Sequence, residues 1–239
     1  MVGASFDYPA GVTIDPHRHT THQLIYAARG VMNVQTADGA WVVPPNRALW
    51  VPAGGEHSIR TIGSVSMRTL YVGTDLRPMP LKTYAVVAVP PLLRELILQL
   101  IALQTGVTNT DRESRLAAVI FDELRALKSQ PLHVPLPEEP RLRAVCEAMV
   151  SDPGSSRTSA QWGARFGMSA KTLERDFAKS LRMTFGQWRQ QVRLLASLER
   201  LAAGEPVTSV ALDLGYKSPS SFAVMFQKAL GSTPSAYFR

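Results

Sequence analysis

The last third of the chain is written twice. With an offset of 49 residues, Ser169 matches Ser218, Phe177 matches Phe226, Lys179 matches Lys228, Leu181 matches Leu230 and Thr184 matches Thr233. Each copy spaces its apolar residues at i, i+4 and i+8, namely Leu173/Phe177/Leu181 and Phe222/Phe226/Leu230. That spacing predicts a helix with one buried stripe. Ser169 and Ser218 are favoured helix-capping residues, and Pro219 stands at the first helical position. A shorter helix is expected ahead of each, roughly Ser159–Phe166 and Val207–Leu214, ended by Gly167 and Gly215. Glycine there takes the left-handed conformation that stops a helix. Gly163 and Ala211, four residues earlier, are small enough for two helices to cross closely. Helix, glycine turn, helix, twice over, is a pair of helix-turn-helix units. Between them Phe185 to about Ala203 reads as one long helix, a rigid spacer. Adjacent major grooves on one face of a duplex lie roughly 34 Å apart, a separation that such a spacer suits.

Charge supports a polyanionic partner for this part alone. Residues 1–140 carry 12 Lys/Arg against 12 Asp/Glu, whereas residues 141–239 carry 14 against 7 and so hold the whole net charge of +7. On the first recognition helix the outward positions are Ala170, Lys171, Thr172, Glu174 and Arg175. Arg175 has the fork that reads guanine, and Glu174 can accept from cytosine or orient Arg175. On the second they are Pro219, Ser220, Ser221, Ala223 and Val224, short side chains suited to a thymine methyl or a phosphate. The first unit is therefore expected to discriminate sequence and the second to position the protein. Lys179, Arg182, Arg189, Lys217 and Lys228 are the candidate phosphate contacts.

The stretch Gly163–Arg239, through Gly167-Met168-Ser169, Gly215-Tyr216-Lys217-Ser218-Pro219-Ser220 and Gly231-Ser232-Thr233-Pro234, resembles the DNA-binding domain of the AraC/XylS family. The resemblance implies transcriptional regulation, usually activation, exercised from two adjacent major grooves. It also implies a homodimer formed through the N-terminal half, with RNA polymerase as a further partner. Val224 departs from the family pattern, where a polar or basic side chain is common.

The first half follows a different pattern. From Thr13 to about Val72, short β-branched and aromatic runs at residues 23–26, 31–34, 41–43, 48–51 and 67–72 are punctuated by Gly30, Asp38-Gly39, Pro44-Pro45-Asn46, Gly54-Gly55 and Gly63, which suggests a small barrel or sandwich. Two apolar helices follow, Leu92–Leu103 and Leu116–Leu127, the second opened by a Thr110-x-x-Glu113 capping box. They either cover the barrel or pair with a second copy of the chain. Pro131, Pro135, Pro137 and Pro140 make residues 129–140 an extended linker. The expected architecture is thus α+β in two domains: residues 1–128 for effector binding and dimerisation, the linker 129–140, and an all-α DNA-binding domain at 141–239.

His17, His19 and Gln23 share strand parity, and Pro52-Ala53-Gly54-Gly55-Glu56-His57 places another imidazole after a turn. These stretches resemble the two cupin motifs, which implies a jelly-roll fold, although Gln23 stands where metal-binding cupins carry glutamate. Three imidazoles can hold a divalent transition metal such as Zn, Ni, Cu or Fe. The competing reading is a metal-free pocket for a small organic effector. His22 has the opposite parity and reads as structural. A cupin-type metalloenzyme fused to a DNA-binding domain is the second function class, but it leaves the basic half unexplained, so no catalytic residue is assigned. No apolar run is long enough to span a membrane, and the lone Cys146 suits a reducing compartment; the expectation is a cytoplasmic protein.

Overall fold

The computed structural model describes residues 1–76, 81–104, 110–130 and 132–238. The Thr110 side chain, Pro131 and Arg239 lie outside the described residues. The chain divides into two compact units, Met1–Ala37 with Trp41–Leu132 and Asp38–Ala40 with His133–Arg239.

The first unit is a sheet covered by helices. Its strands are β1 (Val2–Tyr8), β2 (Thr13–His17), β3 (His22–Thr36), β4 (Gly39–Val43), β5 (Arg47–Val51), β6 (His57–Val72), β7 (Ala85–Ala88) and β8 (Ser129–Gln130). The main ladder runs β1-β6-β3-β5-β7-β8, with β2 also on β6 and β4 also on β3. Two of the runs expected as separate short strands belong to one 15-residue strand, β3, and β6 is longer still at 16 residues. Two of the glycines expected to end strands, Gly30 and Gly63, sit inside them instead, whereas Gly54 and Gly55 lie in the turn between β5 and β6. Gly30 and Gly63 have φ of 77° and 67°, and the β3–β6 register slips between Ala27 and Val31. A Cβ at Gly30 would collide with the Ser64 carbonyl oxygen, so only glycine lets the two strands bend together there.

Helices α1 (Pro91–Gln104) and α2 (Thr110–Ala126) cover this sheet. Leu93, Ile97, Leu100 and Ile101 of α1, with Ile120 and Leu124 of α2, pack on Leu24, Tyr26, Trp50, Leu70 and Val87 from four strands. Their apolar stripes are therefore used within the chain. Leu92 and Val119, on the outer faces, remain 56% and 44% exposed.

The second unit is helical. Its residues include strand β9 (His133–Pro135) and helices α3 (Pro140–Ser151), α4 (Ser159–Arg165), α5 (Ala170–Leu181), α6 (Phe185–Ala202), α7 (Val207–Asp213), α8 (Pro219–Leu230) and α9 (Pro234–Tyr237). The proline-rich stretch is anchored on both sides. Ser129–Gln130 pairs with β7, while the carbonyls of His133 and Pro135 accept hydrogen bonds from Gln191 (2.6 Å) and Trp188 (2.9 Å) of α6. Phe177, Trp188, Leu198, Phe222 and Phe226 are fully buried in this unit. Among the described residues no helix is long and apolar enough to cross a membrane.

Candidate DNA-reading surface and ligand site

The two halves of the repeat fold alike. Helices α4 and α7 have seven residues each, and α5 and α8 have twelve each. The Ser169 hydroxyl accepts from Thr172 N–H at 3.1 Å, and the Ser218 hydroxyl from Ser221 N–H at 3.2 Å, so each recognition helix starts on a serine cap. Gly167 and Gly215 carry φ of 66° and 76° in the turns. A Cβ at Gly163 would lie 2.6 Å from the Met168 carbonyl oxygen, which fixes how closely α4 approaches that turn.

Two arginines that sequence spacing does not single out lie against these turns. Arg141, at the start of α3, donates to the carbonyls of Phe166 (2.8 Å) and Gly167 (2.6 Å), in the turn between α4 and α5. Arg193, on α6, donates to the carbonyls of Pro153 and Ser155 and lies over the Tyr216 ring. Each role depends on contacts between distant parts of the chain, so no local pattern announces it.

Lys171, Glu174 and Arg175 of α5 are exposed, and Thr172 is half-buried with its hydroxyl 2.9 Å from that of Ser169. Arg175 is oriented by Asp176, through contacts at 3.1 and 3.0 Å, while Glu174 accepts from the Ser159 hydroxyl at 2.7 Å and so ties α4 to α5. On α8, Ser220 and Val224 are exposed, Val224 by 68%, and Pro219 and Ala223 are half-buried. The Ser221 hydroxyl donates to the Ser218 carbonyl at 2.8 Å and is engaged in the cap. Gln227, one turn beyond Val224, is also exposed; its counterpart at the repeat offset is Ala178, so the repeat gives no signal for it. Lys179, Arg182, Lys217 and Lys228 are exposed. Arg189 donates to the Arg157 carbonyl at 3.0 Å and lies over the Phe185 ring.

In the sheet unit, β2 pairs with β6 so that His17 faces His57 in register. His19 follows in the connection to β3, held where its carbonyl accepts Gly54 N–H at 2.8 Å. The ligand nitrogens of His17, His19 and His57 lie within 4.8 Å of one another. Burial pushes His57 down to about 4, against the opposing pull of the Gly55 carbonyl on its ring. His19 is also lowered, by burial first and by His17 second. Gln23 lies on β3 opposite Tyr71, whose ring meets His19 edge-on at 5.1 Å. It is buried and donates from Nε2 to the Thr69 hydroxyl at 3.1 Å. His22 stacks on Trp50 and accepts Ala53 N–H at 3.0 Å, a structural placement.

Comparison with known proteins gives two family matches, an AraC-like ligand binding domain over residues 1–139 and a helix-turn-helix domain over residues 162–239. The HTH-type transcriptional regulator NimR of Escherichia coli is 36% identical over 226 residues, 95% of this chain and 82% of NimR. Regulatory protein SoxS of Salmonella typhimurium is 36% identical over 72 residues, 30% of this chain and 67% of SoxS. A crystal structure of ToxT from Vibrio cholerae aligns with a TM-score of 0.42 at 10% identity, covering 99% of this chain and 96% of ToxT.

Proposed function

Since the chain belongs to the AraC family of transcription regulators, we propose that it reads duplex DNA through the exposed faces of α5 and α8 under the control of a ligand held in the first unit. The observation that carries this reading is the duplicated serine-capped helix, presented twice at equal length in the half of the chain that holds the net positive charge.

Arg175 exchanges its pairing with Asp176 for a guanine edge, with Lys171 and Thr172 beside it. Ser220, Ala223 and Val224 lie against thymine methyls and backbone, and Lys179, Arg182, Lys217 and Lys228 contact phosphate. Glu174, Ser221 and Arg189 hold the reading surface in shape rather than touch the duplex, because each is already engaged within the chain. His17, His19, Gln23 and His57 are the ligand-binding group. The active species is a homodimer. Leu92 and Val119, exposed apolar side chains on α1 and α2, are the candidate interface. It acts on RNA polymerase in the cytoplasm, as an activator rather than an enzyme. The relatives named above are all regulators.

Site selection from random duplexes with the full chain should enrich one sequence. Arg175→Ala should then weaken binding to it by about 1–3 kcal/mol, roughly 5- to 150-fold, and relax the preference at one base pair. Unchanged discrimination would remove the Arg175 assignment. Absence of any enriched duplex would remove the whole reading, and multiple-turnover chemistry by the purified protein would favour the metalloenzyme.

A further inference from the structure

Three imidazoles from separate stretches converge in the first unit, from the end of β2, the connection after it and the start of β6. The geometry points to His17, His19 and His57 as a binding site for a divalent transition-metal ion of the zinc class, with a coordination position left open to solution.

The hydrogen bonds around the rings set the donor atoms. Nδ1 of His17 is 2.7 Å from the Asp15 carbonyl oxygen, and Nδ1 of His57 is 3.1 Å from that of Gly55. A carbonyl only accepts, so in both rings Nδ1 carries the proton and the Nε2 lone pair is free to bind. A backbone carbonyl on the far nitrogen is the usual arrangement behind a histidine that ligates metal, because it fixes the tautomer and the ring orientation. The inner nitrogens meanwhile lack partners. Nε2 of His57, a residue only 1% exposed, and Nε2 of His19 are both buried without a hydrogen bond. A buried polar atom left unpaired costs about 1–3 kcal/mol, and two side by side ask for a shared partner. One cation between them supplies it.

The choice of ion follows from the donors. Among the described residues the cluster contains imidazoles alone, with no carboxylate. Gln23, in the position of the glutamate of metal-binding cupins, is uncharged; its Nε2 donates to Thr69 and its Oε1 is buried without a partner. Three neutral nitrogens suit zinc, nickel or copper and do not suit calcium or magnesium, which demand oxygen. Zinc–nitrogen bonds of about 2.0–2.1 Å require the rings to close in somewhat from their present spacing. His17 and His19 are half-buried, which gives the ion a way in and the rings room to move.

This inference rests on the reading of the first unit as ligand-binding, and the experiment separates the two. Untagged full chain is stripped of metal and titrated with Co²⁺ as the optical probe, then with Zn²⁺ in competition. The expected result is one ion per chain, with affinity reduced more than about 100-fold in both His57→Ala and His19→Ala and unchanged in His133→Ala. If circular dichroism shows His57→Ala misfolded, His19→Ala carries the test, its ring being only half-buried. Failure of the wild-type chain to bind Co²⁺ or Zn²⁺, or unaltered affinity in a folded His19→Ala, overturns the site and leaves ligand control to an organic effector. Operator affinity is measured separately with and without Zn²⁺. A bound ion that leaves that affinity unchanged keeps the metal site and takes ligand control away from it.

Discussion

Cys146 is fully buried on α3 among Leu142, Val145 and Met149, and burial pushes its thiol up to about 12. Only a thiolate reacts at a useful rate, so the native chain should leave a disulfide reagent unreacted at pH 8 and be modified stoichiometrically in urea. Rapid modification of the native protein would show that α3 opens readily. Burial also decides which side chains of the proposed DNA-reading surface can act. Lys171 and Arg175 stand on the exposed face of α5, Arg175 paired with its neighbour Asp176, because the helix turns Leu173 and Phe177 into the core. Ser221, by contrast, has its hydroxyl committed to the Ser218 carbonyl at the start of its own helix. An outward position on a helical wheel is thus not the same as a side chain available to a ligand.

At the scale of elements, Gly163 carries a prediction that runs against helix propensity. Glycine inside a helix costs about 1 kcal/mol relative to alanine, so propensity alone expects Gly163→Ala to stabilise. The added Cβ would lie 2.6 Å from the Met168 carbonyl oxygen, a backbone atom that cannot rotate away. Gly163→Ala should therefore destabilise the second unit by about 1–3 kcal/mol, read as a lower midpoint in urea. A raised midpoint would mean that α4 shifts at no cost. The repeat made this region legible because caps, turn glycines and core stripe all point to one structure, and the helices begin and end close to where those residues stand. The sheet was less legible. β1, with sequence VGASFDY, alternates too weakly to read as a strand, and it forms because β6 offers it a full ladder from Val2↔Tyr71 to Tyr8↔Val65. Gly30 looks like a strand end and is a bend within one, since a left-handed glycine serves both purposes. The convergence of His17 and His57 was readable from motif and parity, whereas the hydrogen bonds of their rings to the Asp15 and Gly55 carbonyls could not be.

For the whole molecule, the separation of a neutral first 140 residues from a region carrying +7 sets how binding responds to salt. Each neutralised phosphate contributes about −0.9 to the slope of log affinity against log salt concentration. Lys179, Arg182, Lys217 and Lys228 together predict a slope of about −3.6 for each bound subunit, measured by titrating a duplex with a single half-site at several salt concentrations. Lys217→Ala and Lys228→Ala should each reduce its magnitude by about 1, and Arg189→Ala should leave it nearly unchanged because that side chain is held by the Arg157 carbonyl. A slope indifferent to all three substitutions would place the phosphate contacts elsewhere. Val224, standing bare in the middle of α8, carries an implication for the genome rather than for the protein. If α8 meets the duplex as proposed, an isopropyl group asks little of the base beside it, so promoter sites serving this regulator should drift freely in one box while selection holds the other fixed, and a motif search demanding equal stringency across both boxes would miss many true sites.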